Sequence, residues 1–218
     1  MSLAKEDAYD GIRKLILSGD FVAGDPMPEE MLAERLKISR TPVRDALHQL
    51  EVEGIVERRQ NRRVYLAAVN PMTVVDIFVV RARLEPLAAR LAAGKVDKAF
   101  LADLGGFVET MDRVAGSKDP DRRLYRAQNE HFHWRILTQS ENSAMSTAVR
   151  GVARHGLTSP TFDRWTCAEL ERSQNHHKEL IQAFREGDPD WADAIMTAHL
   201  YAARSVYNRA ANGSVASV

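Results

Sequence analysis

The sequence predicts a mainly α-helical fold, with one small β-hairpin near the N-terminus and an all-α bundle of about six helices behind it. Three observations carry this expectation. Apolar residues recur at helical spacing through most of the 218 residues, one strand, polar turn, strand pattern lies at residues 55–67, and basic charge gathers in the segment holding that pattern. At 44% hydrophobic and 28% charged residues, the chain has the composition of an ordinary globular protein with a real core. Its length suits one large domain or two small ones, at about 150 residues per domain. The longest uncharged apolar runs are pieces such as Ile77-Phe78-Val79-Val80, far below the roughly 18 residues of a membrane span. With no signal-peptide pattern and a single cysteine, Cys167, the expectation is a soluble, cytoplasmic protein without disulfides and without a membrane partner.

Taken in order, Tyr9, Ile12 and Ile16 share one face of a helix over residues 4–18. Gly19-Asp20 and then Ala23-Gly24-Asp25-Pro26 end it in a turn-rich loop. Residues 29–36 form a short second helix. Ser39 stands as N-cap of a third, with Pro42 in its first turn and Val43, Ala46, Leu47 and Leu50 at i, i+3, i+4, i+7. Ile55-Val56-Glu57-Arg58, Gln60-Asn61-Arg62 and Val64-Tyr65-Leu66-Ala67 then read as strand, turn and strand. Three helices and a hairpin are the layout of a winged helix-turn-helix, which defines a first domain over residues 1–69.

Formal net charge is zero, which argues against a uniformly basic, non-specific nucleic-acid binder. The distribution is uneven, however. Residues 1–34 hold three Lys/Arg against eight Asp/Glu, residues 35–69 hold eight against four, and the remainder is balanced at nineteen against eighteen. Arg40, Thr41, Arg44 and His48 lie off the apolar stripe of the third helix, the first three at its N-terminal end, which in this motif meets base edges in the major groove. Arg58, Arg59, Arg62 and Arg63 place charge where a wing meets phosphates or a minor groove. An arginine-rich hairpin alone reads equally well as a solvated turn; the order of helix, turn, capped helix and basic hairpin favours double-stranded DNA.

The run Leu32-Ala33-Glu34-Arg35-Leu36-Lys37-Ile38-Ser39-Arg40-Thr41-Pro42-Val43-Arg44-Asp45-Ala46-Leu47 resembles the helix-turn-helix signature of the GntR family of bacterial transcription regulators, with Ser-Arg-Thr-Pro-Val-Arg as its specific core. Ala23-Gly24-Asp25-Pro26 loosely matches the family's loop before the second helix. In the wing, Asn61-Arg62-Arg63-Val64-Tyr65-Leu66 replaces a sequence similar to Asn-Arg-Gly-Ala-Phe-Val. Arg63 stands at the glycine, so a more splayed wing is expected.

From Pro71 to about Arg209 the pattern is helical, with breaks near Gly94, Gly116-Ser117, residues 140–143, residues 156–160 and Gly187-Asp188-Pro189. Residues 70–212 therefore form a second, helical domain and residues 213–218 a loose tail. The junction at residues 67–71 is too short for a free linker, so coupled movement of the two parts is expected. Polar residues interrupt inward stripes on three helices: Asn129 with Phe132, His133 and Ile136; His177 with Leu180, Ile181 and Phe184; and His199 beside Trp191, Ala194, Ile195 and Ala198. One such histidine alone is ordinarily a hydrogen-bonded core residue. But His177 lies ten residues before Gly187 and His199 twelve after it, so an antiparallel hairpin sets them level, and Asn129 and His133 are one turn apart. Three imidazoles and an oxygen suit a divalent transition metal such as zinc or nickel, with positions open to ligand.

This part resembles the FadR C-terminal ligand-binding domain carried by many GntR-family members. Asn129-Glu130-His131-Phe132-His133 is similar to its Asp-x-x-Phe-His motif, and His177 and His199 to its later histidines. The resemblance implies Asn129, His133, His177 and His199 as metal ligands, with weaker affinity because Asn129 replaces a charged aspartate; His131 and His176 are expected at the surface. It also places Arg81, in Val80-Arg81-Ala82-Arg83-Leu84-Glu85, at the effector pocket, where its guanidinium suits a carboxylate. An ion pair with Glu85 one turn on accounts for Arg81 equally well. Pro86 is expected to interrupt and kink that helix. The alternative is a helical-bundle metalloenzyme acting on a small acid, since Glu130-x-x-His133 has di-iron spacing, yet such a site needs that motif twice and it occurs once. The resemblance implies instead a homodimeric, cytoplasmic regulator binding operator DNA and a small carboxylate effector, commonly as a repressor relieved by ligand.

Overall fold

A computed structural model describes residues 3–17, 20–60, 62–67, 71–117, 120–153 and 165–215. They fall into two compact units, one formed by the chain before Pro71 and one by the chain from Pro71 onward. The expected break at residues 156–160, and Gly19 and Asn61, lie outside the described residues.

The first unit contains α1 (Leu3–Leu17), α2 (Glu29–Leu36) and α3 (Arg40–Val52), then β1 (Val56–Arg58) and β2 (Val64–Leu66). Tyr9, Ile12 and Ile16 of α1, Leu32 and Ala33 of α2, and Val43, Ala46, Leu47 and Leu50 of α3 close on Ile55, Val56, Val64 and Leu66 in one core. Each of its fully buried leucines and isoleucines contributes about 1.5–3 kcal/mol relative to exposure. Between α2 and α3 the chain turns through Lys37 in the left-handed region, φ 56°, whose N–H completes the α2 C-cap. Ser39 does occupy the N-cap position of α3 with extended backbone, but its side chain makes no capping hydrogen bond. In the hairpin, Val56 pairs with Leu66 and Arg58 with Val64. The turn-rich loop lies along β2: the Gly24 N–H donates to Leu66 O at 2.8 Å, Met27 N–H to Val64 O at 2.8 Å and Leu66 N–H to Asp25 O at 2.9 Å. Gly24 sits at φ 92°, which a side chain would strain.

The wing is not splayed. The Arg59 N–H donates to Arg63 O at 3.1 Å and the Arg62 N–H to Arg59 O at 2.8 Å, closing the turn. The left-handed residue is Arg62, φ 61°, so Arg63, at the glycine position, does not adopt the positive φ that a glycine permits.

The second unit contains α4 (Pro71–Ala93), α5 (Lys98–Ala115), α6 (Arg122–Gln139), α7 (Ser143–Ala153), α8 (Cys167–Glu186) and α9 (Pro189–Val215). Helix α4 runs antiparallel to α9: Phe78 stacks on Tyr207 near one end and Arg90 pairs with Asp190 near the other. Phe100 of α5 meets Phe184 of α8 edge to face at 5.0 Å. A capping box of Thr166 and Glu169 starts α8, and Gly187 at φ 64° ends it and folds α9 back. Two expectations fail here. Helix α4 continues through Pro86, because proline costs a helix one N–H donor without obliging it to end. Helix α9 is assigned through Val215, so the first half of the expected tail, residues 213–215, is helical. Among the described residues no helix is long and apolar enough to cross a membrane.

Candidate functional site

Two constellations stand out, one in each unit. In the first, a groove of about 710 Å³ runs between α2, α3 and the hairpin, lined by Arg40, Arg44, Arg58, Arg62 and Arg63 together with Glu29 and Glu30. Thr41 and His48 are exposed on α3 and do not line it. His48 lies 3.9 Å from Glu51. The α3 arginines are on this face because the opposite face, Val43, Ala46, Leu47 and Leu50, is taken by the core. Each is held by an acidic residue in the first turn of α2, where the helix dipole favours a carboxylate. Arg44 donates from Nε and Nη2 to Glu29 at 3.0–3.2 Å, which raises its pKa further, by hydrogen bonding and then by charge. Arg40 donates to Glu30 at 2.7 Å. In the wing, Arg58 reaches Glu51 and the Arg62 carbonyl, and Arg59 lies over the Tyr65 ring at 4.1 Å.

In the second unit, α6, α8 and α9 bring His133, His177 and His199 together, all three buried, with one ligand atom of each within 4.8 Å of the others. His133 Nε2 and His199 Nε2 are 3.1 Å apart. Nitrogens bound to one zinc ion at about 2.0–2.1 Å are separated by roughly 3.0–3.4 Å, so the spacing fits a shared ion. The partners of the outer nitrogens set the tautomers. His133 Nδ1 lies 2.6 Å from Glu85 Oε2 and His177 Nδ1 lies 2.8 Å from Gln174 Oε1; each therefore donates from Nδ1 and keeps its Nε2 lone pair. The His177 Nε2 and His199 Nδ1 atoms are buried with no hydrogen-bond partner. Burial, and then the neighbouring imidazoles, push the pKa of His177 and His199 well below the ordinary histidine value. They are neutral at neutral pH, the state in which imidazole ligates a metal. Asn129 lies one turn before His133 on α6 and is half-buried.

Arg81 is engaged by the ion pair that sequence alone left open. Its Nε donates to Glu85 Oε1 at 2.5 Å. Glu85 is 2% exposed, and although burial opposes its charge, Arg81 and His133 hold its carboxyl down at about 2. Half-buried Arg81 and buried Glu85 and His133 thus form one chain from α4 to α6. Sequence reasoning gave Glu85 no part in the centre; the available signal was a carboxylate on the stripe Phe78, Ala82, Ala89 and Ala92, all buried. Gln174 was missed as well. It donates from Nε2 to Val108 O and Asp112 Oδ1, both at 3.1 Å, anchoring the His177 partner to α5. His176, expected at the surface, is half-buried: its Nδ1 is buried without a partner, and burial lowers its pKa. His131 is exposed. The stripe expected beside His199 is also displaced, since Ala194 and Ala198 are exposed while Ala192, Met196 and Ala203 are buried with it.

A winged helix-turn-helix with an arginine-lined groove, followed by a helical unit built around buried polar side chains, defines a DNA-binding regulator with a sensor domain. The profile of "Bacterial regulatory proteins, gntR family" matches residues 4–66 and that of the "FCD domain" matches residues 76–202. The chain belongs to the GntR family of bacterial transcription regulators, in the FadR-like branch that carries an FCD domain. It is 28% identical over 189 residues to the "Probable D-xylose utilization operon transcriptional repressor" of Paenarthrobacter nicotinovorans, covering 86% of this chain and 81% of that protein. It is 29% identical over 186 residues to the "Nta operon transcriptional regulator" of Aminobacter aminovorans, covering 85% and 86%. Among solved structures, "E. coli McbR/YncC" shares the fold with a TM-score of 0.82 at 19% identity, over 96% of this chain and 99% of that one. The family and these relatives are regulators, and the metalloenzyme alternative finds no support among them.

Proposed function

We propose that this regulator controls a metabolic operon from a cytoplasmic homodimer, as a repressor released when a small carboxylate binds a metal-containing sensor domain. In the first unit, Arg40, Thr41, Arg44 and His48 read base edges while Arg62 and Arg63 meet the sugar-phosphate backbone of operator DNA. In the second, His133, His177 and His199, with Asn129 as an oxygen donor, hold a divalent transition ion, zinc or nickel by donor chemistry. When bound, that ion offers open coordination positions to an anionic oxygen. Glu85 and Gln174 keep the His133 and His177 rings turned with Nε2 inward, and Arg81 supplies a half-buried guanidinium for a carboxylate. The relatives named for a D-xylose utilization operon and an nta operon support the metabolic reading.

The observation that carries the sensor reading is the buried histidine cluster with a lone pair of His177 left without a donor. A buried polar atom without a partner is costly, and an ion at the cluster removes that cost. Native mass spectrometry of the purified protein tests it directly, with one divalent ion per chain and a co-purifying small acid as the expected result. A metal-free mass, with thermal stability indifferent to added zinc, nickel or chelator, leaves the histidines a hydrogen-bonded core and sinks the reading.

A further inference from the structure

The arginine groove holds its own counter-charge. Arg44 is 61% exposed, yet its guanidinium is gripped from the side, Nε and Nη2 both donating to Glu29, while Glu29 is only 22% exposed. Arg40 is gripped by Glu30, with Glu29 a further 4.0 Å away. Two of the five arginines lining the groove are thereby neutralised before any ligand arrives. Those carboxylates sit at the N-terminus of α2, the helix that crosses the backbone in this motif. A phosphate entering the groove gains no new charge on these two arginines, because it must displace a carboxylate already bonded there or approach alongside it. A guanine edge is treated differently. Side-on pairing through Nε and Nη2 leaves the end-on donors of Nη1 and Nη2, the pair that matches O6 and N7.

We propose that Glu29, assisted by Glu30, is a specificity-determining element of the DNA interface: it suppresses binding to bare phosphate backbone and fixes Arg44 with its end-on donors available to a base. The inference rests on the reading of this groove as the DNA-facing surface. It predicts a glutamate whose removal tightens DNA binding, the reverse of what a DNA-contacting residue does.

The test uses the full chain with Glu29→Gln, Glu30→Gln and the double substitution, near-isosteric changes at one half-buried and one exposed position. Two probes are needed: a short fluorescent duplex of random sequence, and a duplex recovered by the wild-type protein from a randomised pool. Anisotropy titrations between about 50 and 200 mM salt give affinity and salt slope. The double variant is expected to bind the random duplex on the order of tenfold more tightly at the lower salt, with a slope steeper by about one to two as freed arginines engage phosphates. Its preference for the selected duplex should fall. Random-duplex affinity and slope that stay unchanged or decrease overturn the inference. Arg40→Ala combined with Arg44→Ala separates the layers. If that variant weakens both probes while the glutamate variants change nothing, only the role of the glutamates fails. If it binds both the random and the selected duplex like wild type, the groove is not the interface and the inference falls with that reading. Should Glu29→Gln lower the thermal midpoint, Glu30→Gln, 75% exposed in the wild type, decides alone by the same affinity and slope criteria.

Discussion

Arg44 and His177 show how the partner of a side chain decides what that side chain offers a ligand. Arg44 is solvent-facing and paired with Glu29, and on the proposed reading Arg44→Ala removes a base contact. It is expected to cost about 1–3 kcal/mol at the operator and to relax the preferred sequence. Arg63→Ala is instead expected to weaken binding on all sequences and flatten the salt dependence. Unchanged operator affinity in Arg44→Ala disproves the assignment. His177 is the opposite case, buried, neutral and short of a donor at Nε2. His177→Ala or His199→Ala should abolish metal retention, and a chelator should lower the thermal midpoint of the wild type and leave the variants unmoved. Asn129→Asp, which adds an anionic oxygen, should tighten metal binding in a competition titration. The direction of the histidine shifts also fixes a pH dependence for the metal-stripped protein. Because His177 and His199 have folded-state pKa values depressed well below 6.5, the unfolded chain takes up protons first as pH falls. Their stabilisation is complete above about pH 6.5 and declines below it. Glu85, lowered from 4.5 to about 2, extends the decline in the same direction through that lower range. Denaturant midpoints that rise on acidification from pH 7 to 5 contradict this reading.

At the scale of elements, what is legible in the sequence is what local chemistry decides. Glu29–Leu36 and the hairpin are readable because their apolar periods and turn residues are written within a few residues of one another. The inward positions of His133 and His177 are readable for the same reason. Glu85 is not, because the partner that makes it functional lies 48 residues away on another helix. Nor is the stripe of α9: the helix packs against both α4 and α8, so its buried face is wider than, and rotated from, the one a single contact would select. Pro86 misleads because the penalty of a proline is local, whereas the burial that α4 gains by continuing is spread over many residues. The turn at Gly187 tests the link from element to site. A Cβ there meets nothing within 4 Å, yet the backbone sits at φ 64°, so Gly187→Ala is strained by conformation alone. About 1 kcal/mol of destabilisation is expected, measurable in denaturant unfolding. Because this turn sets α8 against α9, metal affinity should fall more than the affinity for DNA. An unchanged metal affinity, with stability lowered, would show that the histidines are held by packing and not by the hairpin register.

For the whole molecule, the proposed function requires that a small acid bound in one unit change DNA affinity in the other. Linkage requires the acid to bind the DNA-competent and DNA-incompetent states unequally. Arg81 and Glu85 lie on α4 and their partner His133 on α6. On the proposed reading an incoming carboxylate would compete with Glu85 for Arg81, and a rearrangement of that pair would act on α4. In sequence, α4 starts at Pro71 and β2 ends at Leu66, so four residues connect the helix that carries Arg81 to the strand that forms the wing. The proposed route is that a connection this short passes displacement on, whereas a long flexible one would relax it. Two variants separate binding from transmission. Arg81→Ala should lower effector affinity while metal content and effector-free operator affinity persist. Insertion of Gly-Ser residues between Ala67 and Pro71 should leave effector affinity intact and abolish its influence on operator binding. Full effector response in the lengthened protein would move the coupling route to the interface of the proposed homodimer, because a contact through such an interface does not depend on the length of the junction.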